Sequence, residues 1–392
     1  MTRLVLFGIL VIAACSRPSS GTGLATPTVD TLPGGAVVVT NSGPTQWADT
    51  SGWRVVEERV IAPEAGSAGE MGDVMGVAMG EDGRVYVIQS RPHAIKVYAP
   101  DGGFERDIGR DGEGPGEFRV GYIAVRGDTI ALQDPGLYRF TTFLNDGTLL
   151  QMRSSPGDWA TSYLDIDRYG VVGIPGGISG VDGGHRSVMV RARLDGTVID
   201  TIVLPEYPRS KVTWHATWPA GNMRIPGPLQ PSLHLRYDAN GRLVHGTTDK
   251  PELIVSRNGL DTLMIIRTTI PGVPISEAQR DSIFQDHLDG MEWQESWLVQ
   301  GSRDDVPAAW PPWTSLNVDK EGNIWLGVPG DKGRAALAQV FNSNGALLGT
   351  VPIPDARIFS GTWGGDRIAV RDENDDGEPL VRVYRLVRGY SA

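Results

Sequence analysis

Val74-Met75-Gly76-Val77-Ala78-Met79, Glu81-Asp82-Gly83, Arg84-Val85-Tyr86-Val87-Ile88, Ala94-Ile95-Lys96-Val97-Tyr98, Asp101-Gly102 and Phe104-Glu105-Arg106-Asp107-Ile108 follow one another in this 392-residue chain. Short apolar runs separated by Gly-bearing turns read as four strands in up-and-down order. Aligning the first turn of each unit gives Gly83, Asp128, Gly170, Gly241, Gly322 and Asp366, with a basic spacing of 42 to 45 residues. The second turn recurs as Asn145-Asp146-Gly147, Asp195-Gly196, Asn258-Gly259 and Asn344-Gly345, pairs that reach positive φ at little cost in a tight hairpin. Two intervals are longer, which places insertions at about 205–230 and 271–312.

That period is the length of one four-stranded propeller blade. The last unit stops after Val381-Arg382-Val383-Tyr384-Arg385-Leu386, one strand short, and Trp53-Arg54-Val55-Val56-Glu57-Glu58-Arg59-Val60-Ile61 is an orphan strand at the front. Pairing the two removes sheet edges that would otherwise invite aggregation. The expected fold is therefore all-β, a six-bladed propeller over 53–392 with its N-terminal strand closing the last blade. One helix is expected from Ser276, where Ser276 and Gln279 form a capping box. Phe284, Leu288 and Met291 fall on one face of that helix, and its expected place is over the channel mouth as a lid.

Hydrophobic residues at 40% and charged residues at 21% suit a folded body. The 51 glycines and 27 prolines fit many short turns, and a net charge of −11 disfavours nucleic acid as a partner. At the front, Arg3 precedes an apolar run, Leu4 to Ala14, that is too short for a spanning helix of ~20 residues and reads as an export signal. Ile12-Ala13-Ala14-Cys15 resembles the bacterial lipobox, which implies a diacylglyceryl group on Cys15, the chain's single cysteine. Acylation would anchor the protein to a membrane, each buried methylene contributing about 0.8 kcal/mol. The expected division is a signal peptide at 1–14, a flexible tether at 15–52 and the propeller at 53–392. The expected address is the bacterial cell envelope, outer membrane or periplasm-facing.

Asp107-Ile108-Gly109-Arg110-Asp111-Gly112-Glu113-Gly114-Pro115-Gly116-Glu117-Phe118 resembles the inter-blade signature of NHL-type repeats. Together with Asp30-Thr31-Leu32-Pro33-Gly34-Gly35, Pro274-Ile275-Ser276-Glu277-Ala278-Gln279-Arg280-Asp281, and Pro311-Pro312-Trp313 leading to Asp319-Lys320-Glu321-Gly322-Asn323-Ile324-Trp325, it makes the chain from 30 to 392 similar to bacterial six-bladed β-propeller lipoproteins. The resemblance implies the fold. That group includes binding modules as well as lyases and hydrolases, so no reaction follows from it.

Both insertions fall on the rim that carries the loops between second and third strands. Trp159, Trp214, Trp218, Trp293, Trp297, Trp310 and Trp313 map to the same rim, either as a recognition platform or as pegs fastening the insertions. The expected function is binding of a protein partner or small ligand there, through Arg91, His93, Asp134, Trp214, His215, Trp218, Asp249 and Arg334. The alternative is a metal-assisted lyase or hydrolase using His93, His185, His215 and His234, with His245 and His287 nearby. No cofactor is expected beyond a divalent metal, for which Asp372, Asn374 and Asp376 give calcium-loop spacing with Gly377 at position six but Val383 at position twelve. The glycines from 112 to 116 lack a following Lys-Ser or Lys-Thr and are no phosphate cradle, and no Gly-x-Ser-x-Gly elbow is present.

Overall fold

A computed structural model describes residues 26–43, 45, 47, 52–155, 164–179, 185–291 and 298–389. Within them the chain is all-β apart from one α-helix, α1 (Glu277–Met291), and two 3-10 turns, Arg303–Asp305 and Ala356–Ser360. Six antiparallel meanders follow one another. Their first strands are Val74–Met79, Tyr122–Arg126, Asp165–Ile166, Leu233–Tyr237, Ser315–Val318 and Thr362–Gly364. The sixth sheet has three consecutive strands, and its fourth is Trp53–Ile61, antiparallel to Pro379–Arg388 with Val55 opposite Leu386.

Each sheet is sandwiched between two others, so both faces are covered, which explains why its middle strands read as unbroken apolar runs. Val85–Gln89 and Ala94–Tyr98 are buried at every position. Five apolar clusters each join consecutive sheets. A sixth brings Ile61, Ala369, Val381 and Val383 of the sixth sheet against Val74, Val85 and Val87 of the first. The fifth and sixth sheets are joined by a run of tryptophans: Trp47 to Trp53, 4.9 Å, Trp53 to Trp325, 6.0 Å, and Trp325 to Trp363, 5.3 Å between ring centroids.

The hairpin turns have a common chemical device. Asp167, Asp238 and Asp319 each accept backbone N–H bonds from the second and fourth residues onward, at 2.8 to 3.0 Å, with a glycine three positions on. At Gly322 that residue has φ +87°, a conformation nearly closed to side chains bearing a Cβ. The Asp and Gly are thus one unit, and their recurrence made the period visible.

Two expectations change. Residues 28–41, read as part of a flexible tether, form strands Thr28–Thr31 and Val37–Asn41 on the outer edge of the fourth sheet, Val37–Asn41 running parallel to Met264–Thr268. Asn41 fixes the junction: its amide donates to Arg267 O and Gly345 O and its carbonyl accepts from Leu347 N. Trp47 N donates to Leu348 O, so described residues ahead of Trp53 bond to the outer strands of the fourth and fifth sheets. The two insertions, moreover, form one body. Thr213–Trp218 and Gly221–Pro226 from the first pair with Leu298–Gln300 from the second in a three-stranded sheet of their own. Among the described residues, no helix is long and apolar enough to cross a membrane.

Candidate functional site

Helix α1 starts as its sequence dictates, Ser276 N donating to Gln279 Oε1 at 2.8 Å and Gln279 N to Ser276 Oγ at 3.3 Å. It lies against the insertion sheet rather than over a channel. Phe284 and Leu288 pack on the cluster around buried Trp214, whose Nε1 donates to Asp305 at 2.8 Å. His287 stands edge-on to the same indole, and its Nε2 lies 3.0 Å from Pro226 O. The Gln279 side chain then reaches the carbonyl of Asp331, which sets the helix beside the loop 330–334.

That loop is one wall of a cleft of about 1080 Å³ between the fifth and sixth sheets, opposite Ile353 to Arg357 with Arg382 and Tyr384 below. Asp355 caps the 3-10 turn Ala356–Ser360 by accepting from Arg357 N, and Tyr384 donates its hydroxyl to Asp355 Oδ2 at 3.0 Å. Arg357 pairs with Asp355 at 2.8 Å and with buried Asp372. Arg382 bridges Asp372 at 2.5 Å and Glu57 at 2.8 Å. Burial pulls the Asp355 carboxyl upward, but the bonds from Arg357 and Tyr384 outweigh it and hold the group below its ordinary value. Burial, reinforced by the neighbouring Asp355 charge, pushes the Tyr384 phenol up to about 12. The floor is a closed set of charges in which every arginine is spent. Lys332 and Arg334 are exposed on the wall, and among the described residues neither has a carboxylate partner.

Of the residues singled out in the sequence, Arg334 alone lines this cleft. The others are dispersed. Arg91 pairs with Asp73 at 2.9 Å, His93 with Asp111 at 2.7 Å, and Asp249 with Lys211 at 3.4 Å. Asp134 is buried because its oxygens accept Arg119 N and Leu137 N, which closes a turn. Trp214 and Trp313 are likewise buried pegs, Trp313 donating to Lys250 O at 2.6 Å, so the aromatic platform is not formed by them. Trp218 is half-buried beside Gly221. Trp159, Trp293, Trp297 and Cys15 lie outside the described residues.

The histidines do not converge. His215 lies on the insertion sheet opposite Arg224 and Gln300, His234 is 5.3 Å from Trp313 in the fourth sheet, and His93 is on the first. His185 opens a strand opposite Ser179; its side chain is outside the described ones. Among the described residues, no three His, Cys, Asp or Glu side chains gather in a way that could hold a metal. The proposed calcium loop is a hairpin turn. Asp372 is taken by Arg357 and Arg382, and the Asn374 carbonyl accepts from Asp376 N and Glu378 N. The glycine-rich loop after Arg110 is occupied by its own Glu117 carboxylate, which accepts from Gly114 N at 2.7 Å and Arg110 at 2.8 Å.

Sequence reasoning missed a second set of residues. Three cavities of about 240, 370 and 40 Å³ follow one another between the first strands. The upper two share Leu164, Ser360 and Thr362, and the lower two share Lys320. The middle one is lined by Asp165, Arg236, Asn317, Lys320 and Trp363. A lysine in an Asp-x-x-Gly turn reads as solvated, and an aspartate beside Leu164 and Ile166 gives no periodic signal, so nothing in the sequence marked them.

No family model matches the chain, and no curated protein matches it. Among solved structures it is similar to an exported protein from Bacteroides fragilis at 12% identity, covering 90% of this chain and 100% of that one with a TM-score of 0.49. A DUF4221-family member from Bacteroides vulgatus is 10% identical over 87% and 100%, TM-score 0.49. A streptogramin B lyase is 10% identical over 86% and 98%, TM-score 0.38. Likenesses this distant carry neither an activity nor a ligand to this chain.

Proposed function

We propose that the protein is an exported six-bladed β-propeller, held to the envelope by a lipid on Cys15, that binds an anionic ligand in the cleft between its fifth and sixth sheets. The propeller reading rests on the sixth apolar cluster, which brings the end of the series back against its beginning, and on the front strand that completes the sixth sheet. The anchor rests on the lipobox-like Ile12 to Cys15, and the intact mass of membrane-extracted protein, with or without acyl chains on Cys15, decides it.

The observation behind the binding reading is Lys332 and Arg334, two exposed cations with no carboxylate partner among the described residues, above a floor whose arginines are already neutralised. On a chain of net charge −11 such a local excess is a directed feature of the surface, opposed there, among the described residues lining the cleft, by the exposed Asp331. Carboxylate or phosphate groups are what a guanidinium and an ammonium side by side select. Citrate and pyrophosphate, titrated calorimetrically, are the probes. Lys332→Glu with Arg334→Glu is expected to weaken binding at least about tenfold, since bonds to charged groups contribute about 1.5–3 kcal/mol, with the unfolding midpoint nearly unchanged. Equal binding by the double variant would sink the assignment.

A further inference from the structure

We propose that the 370 Å³ chamber between the first strands is a second binding site, for a small carboxylic acid that also carries a hydroxyl or ammonium group. It goes beyond the cleft reading and uses none of its charged residues. Toward the insertion side it shares Leu164, Ser360 and Thr362 with the 240 Å³ cavity lined by Met75, Tyr122 and Arg371. Toward the hairpin side it shares only Lys320 with a cavity of about 40 Å³, space on the scale of a single water, whose share of liquid volume is roughly 30 Å³.

Some of its polar lining is already satisfied. The Asn317 amide donates to Ile358 O and Gly361 O, its carbonyl accepts from Val318 N, and Thr362 donates to Val77 O. Two charged groups are not. Lys320 is half-buried, and among the described residues its ammonium makes no hydrogen bond and no ion pair. Among the described residues Asp165 receives one long bond, 3.3 Å from Tyr237 N. Leaving half-buried charges without hydrogen-bond partners costs free energy. Their collection in one accessible chamber indicates a solute that supplies an acceptor to Lys320 and a donor to Asp165. With Arg236 the lining has two cations and one carboxylate, which favours a monoanionic or zwitterionic occupant.

Burial lowers the Lys320 ammonium and raises the Asp165 carboxyl, Lys320 being drawn the other way by Asp165 and Glu81, with Arg126 adding to the lowering. Both shifts are relieved when the complementary charge of a ligand arrives.

The test uses the full chain with glycolate, lactate, glycine and serine as probes. Saturation-transfer NMR reports binding, and mass spectrometry reports acetylation of Lys320 by acetic anhydride. At least one probe is expected to bind and to slow Lys320 acetylation about fivefold or more relative to that of exposed Lys332 in the same sample, which cancels reagent consumed by amine probes, and Lys320→Met is expected to weaken that binding at least about tenfold. Lys332→Glu with Arg334→Glu leaves it unchanged, so failure here and failure of the cleft are separately visible. If no probe protects Lys320 in the unaltered protein, or Lys320→Met binds as well, the proposal is overturned; the protection measurement needs no variant to fold.

Discussion

Deletion of residues 53–61 is expected to abolish cooperative thermal unfolding. The segment supplies the fourth strand of the sixth sheet, and its loss strips Pro379–Arg388 of its partner along the whole length of that ladder. Val55 and Ile61 are buried at opposite ends of the strand, in the cores facing the fifth and first sheets respectively. Burying two such side chains contributes about 1.5–3 kcal/mol each. Glu57 and Glu58 also leave Arg382 and Arg367 behind, at a newly exposed sheet edge. An unpaired apolar edge is a template for aggregation, so calorimetry should give a broad, low and irreversible transition. A sharp transition near the full-length midpoint would show that the sixth sheet does not depend on the front of the chain.

Acid is expected to weaken the fold well above the pH at which carboxylates titrate. His234 and His245 are each lowered to about 4 from 6.5 by burial, with Arg236 adding to the effect on His234. The buried Nε2 of His245 has no hydrogen-bond partner among the described residues. Both therefore fold as neutral imidazoles. In the unfolded chain they take up protons from about pH 6.5 downward, so each contributes stability that is present above that pH and is lost as pH falls toward about 4. Between pH 6.5 and 5 the loss is about 2 kcal/mol for His245, and less for half-buried His234. Asp165 and Asp319, raised by burial, act in the opposite sense. The histidine contribution is isolated by His234→Phe with His245→Leu, which should flatten the urea midpoint across pH 7 to 5. A variant as acid-sensitive as the unaltered chain would refute this origin.

What the sequence disclosed, and what it hid, follow from one distinction. Turns written as Asp, two residues and Gly are local chemistry, and Asp319 with Gly322 carries its meaning within four residues, so the strand repeat and the front strand's partner were readable. The same held for the Ser276–Gln279 cap. Residues 37–41 were misread because their Gly- and Pro-rich surroundings outweighed an apolar run, Val37-Val38-Val39, whose partner Met264–Ile266 lies more than 200 positions away. The candidate site fared worse for the same reason. Asp134, Trp214 and Asp372 have the chemistry of binding residues, but their partners Arg119, Asp305 and Arg382 are brought in by the fold and consume it. Lys332 and Arg334 stand out by lacking such partners among the described residues, a property visible only once the charges around them are placed.

The central claim is that head and tail of the chain share one sheet, and a cysteine pair tests it most directly. Val56 and Arg385 are register partners on the exposed side of the closing pair, so Val56→Cys with Arg385→Cys places two thiols side by side. The account predicts ready disulfide formation under mild oxidation, identified by mass spectrometry of the linked peptides, and an unfolding midpoint equal to or above that of the reduced protein. The control Val56→Cys with Arg382→Cys, three positions out of register, should remain unlinked. No link at 56–385, or equal linking in the control, would contradict it.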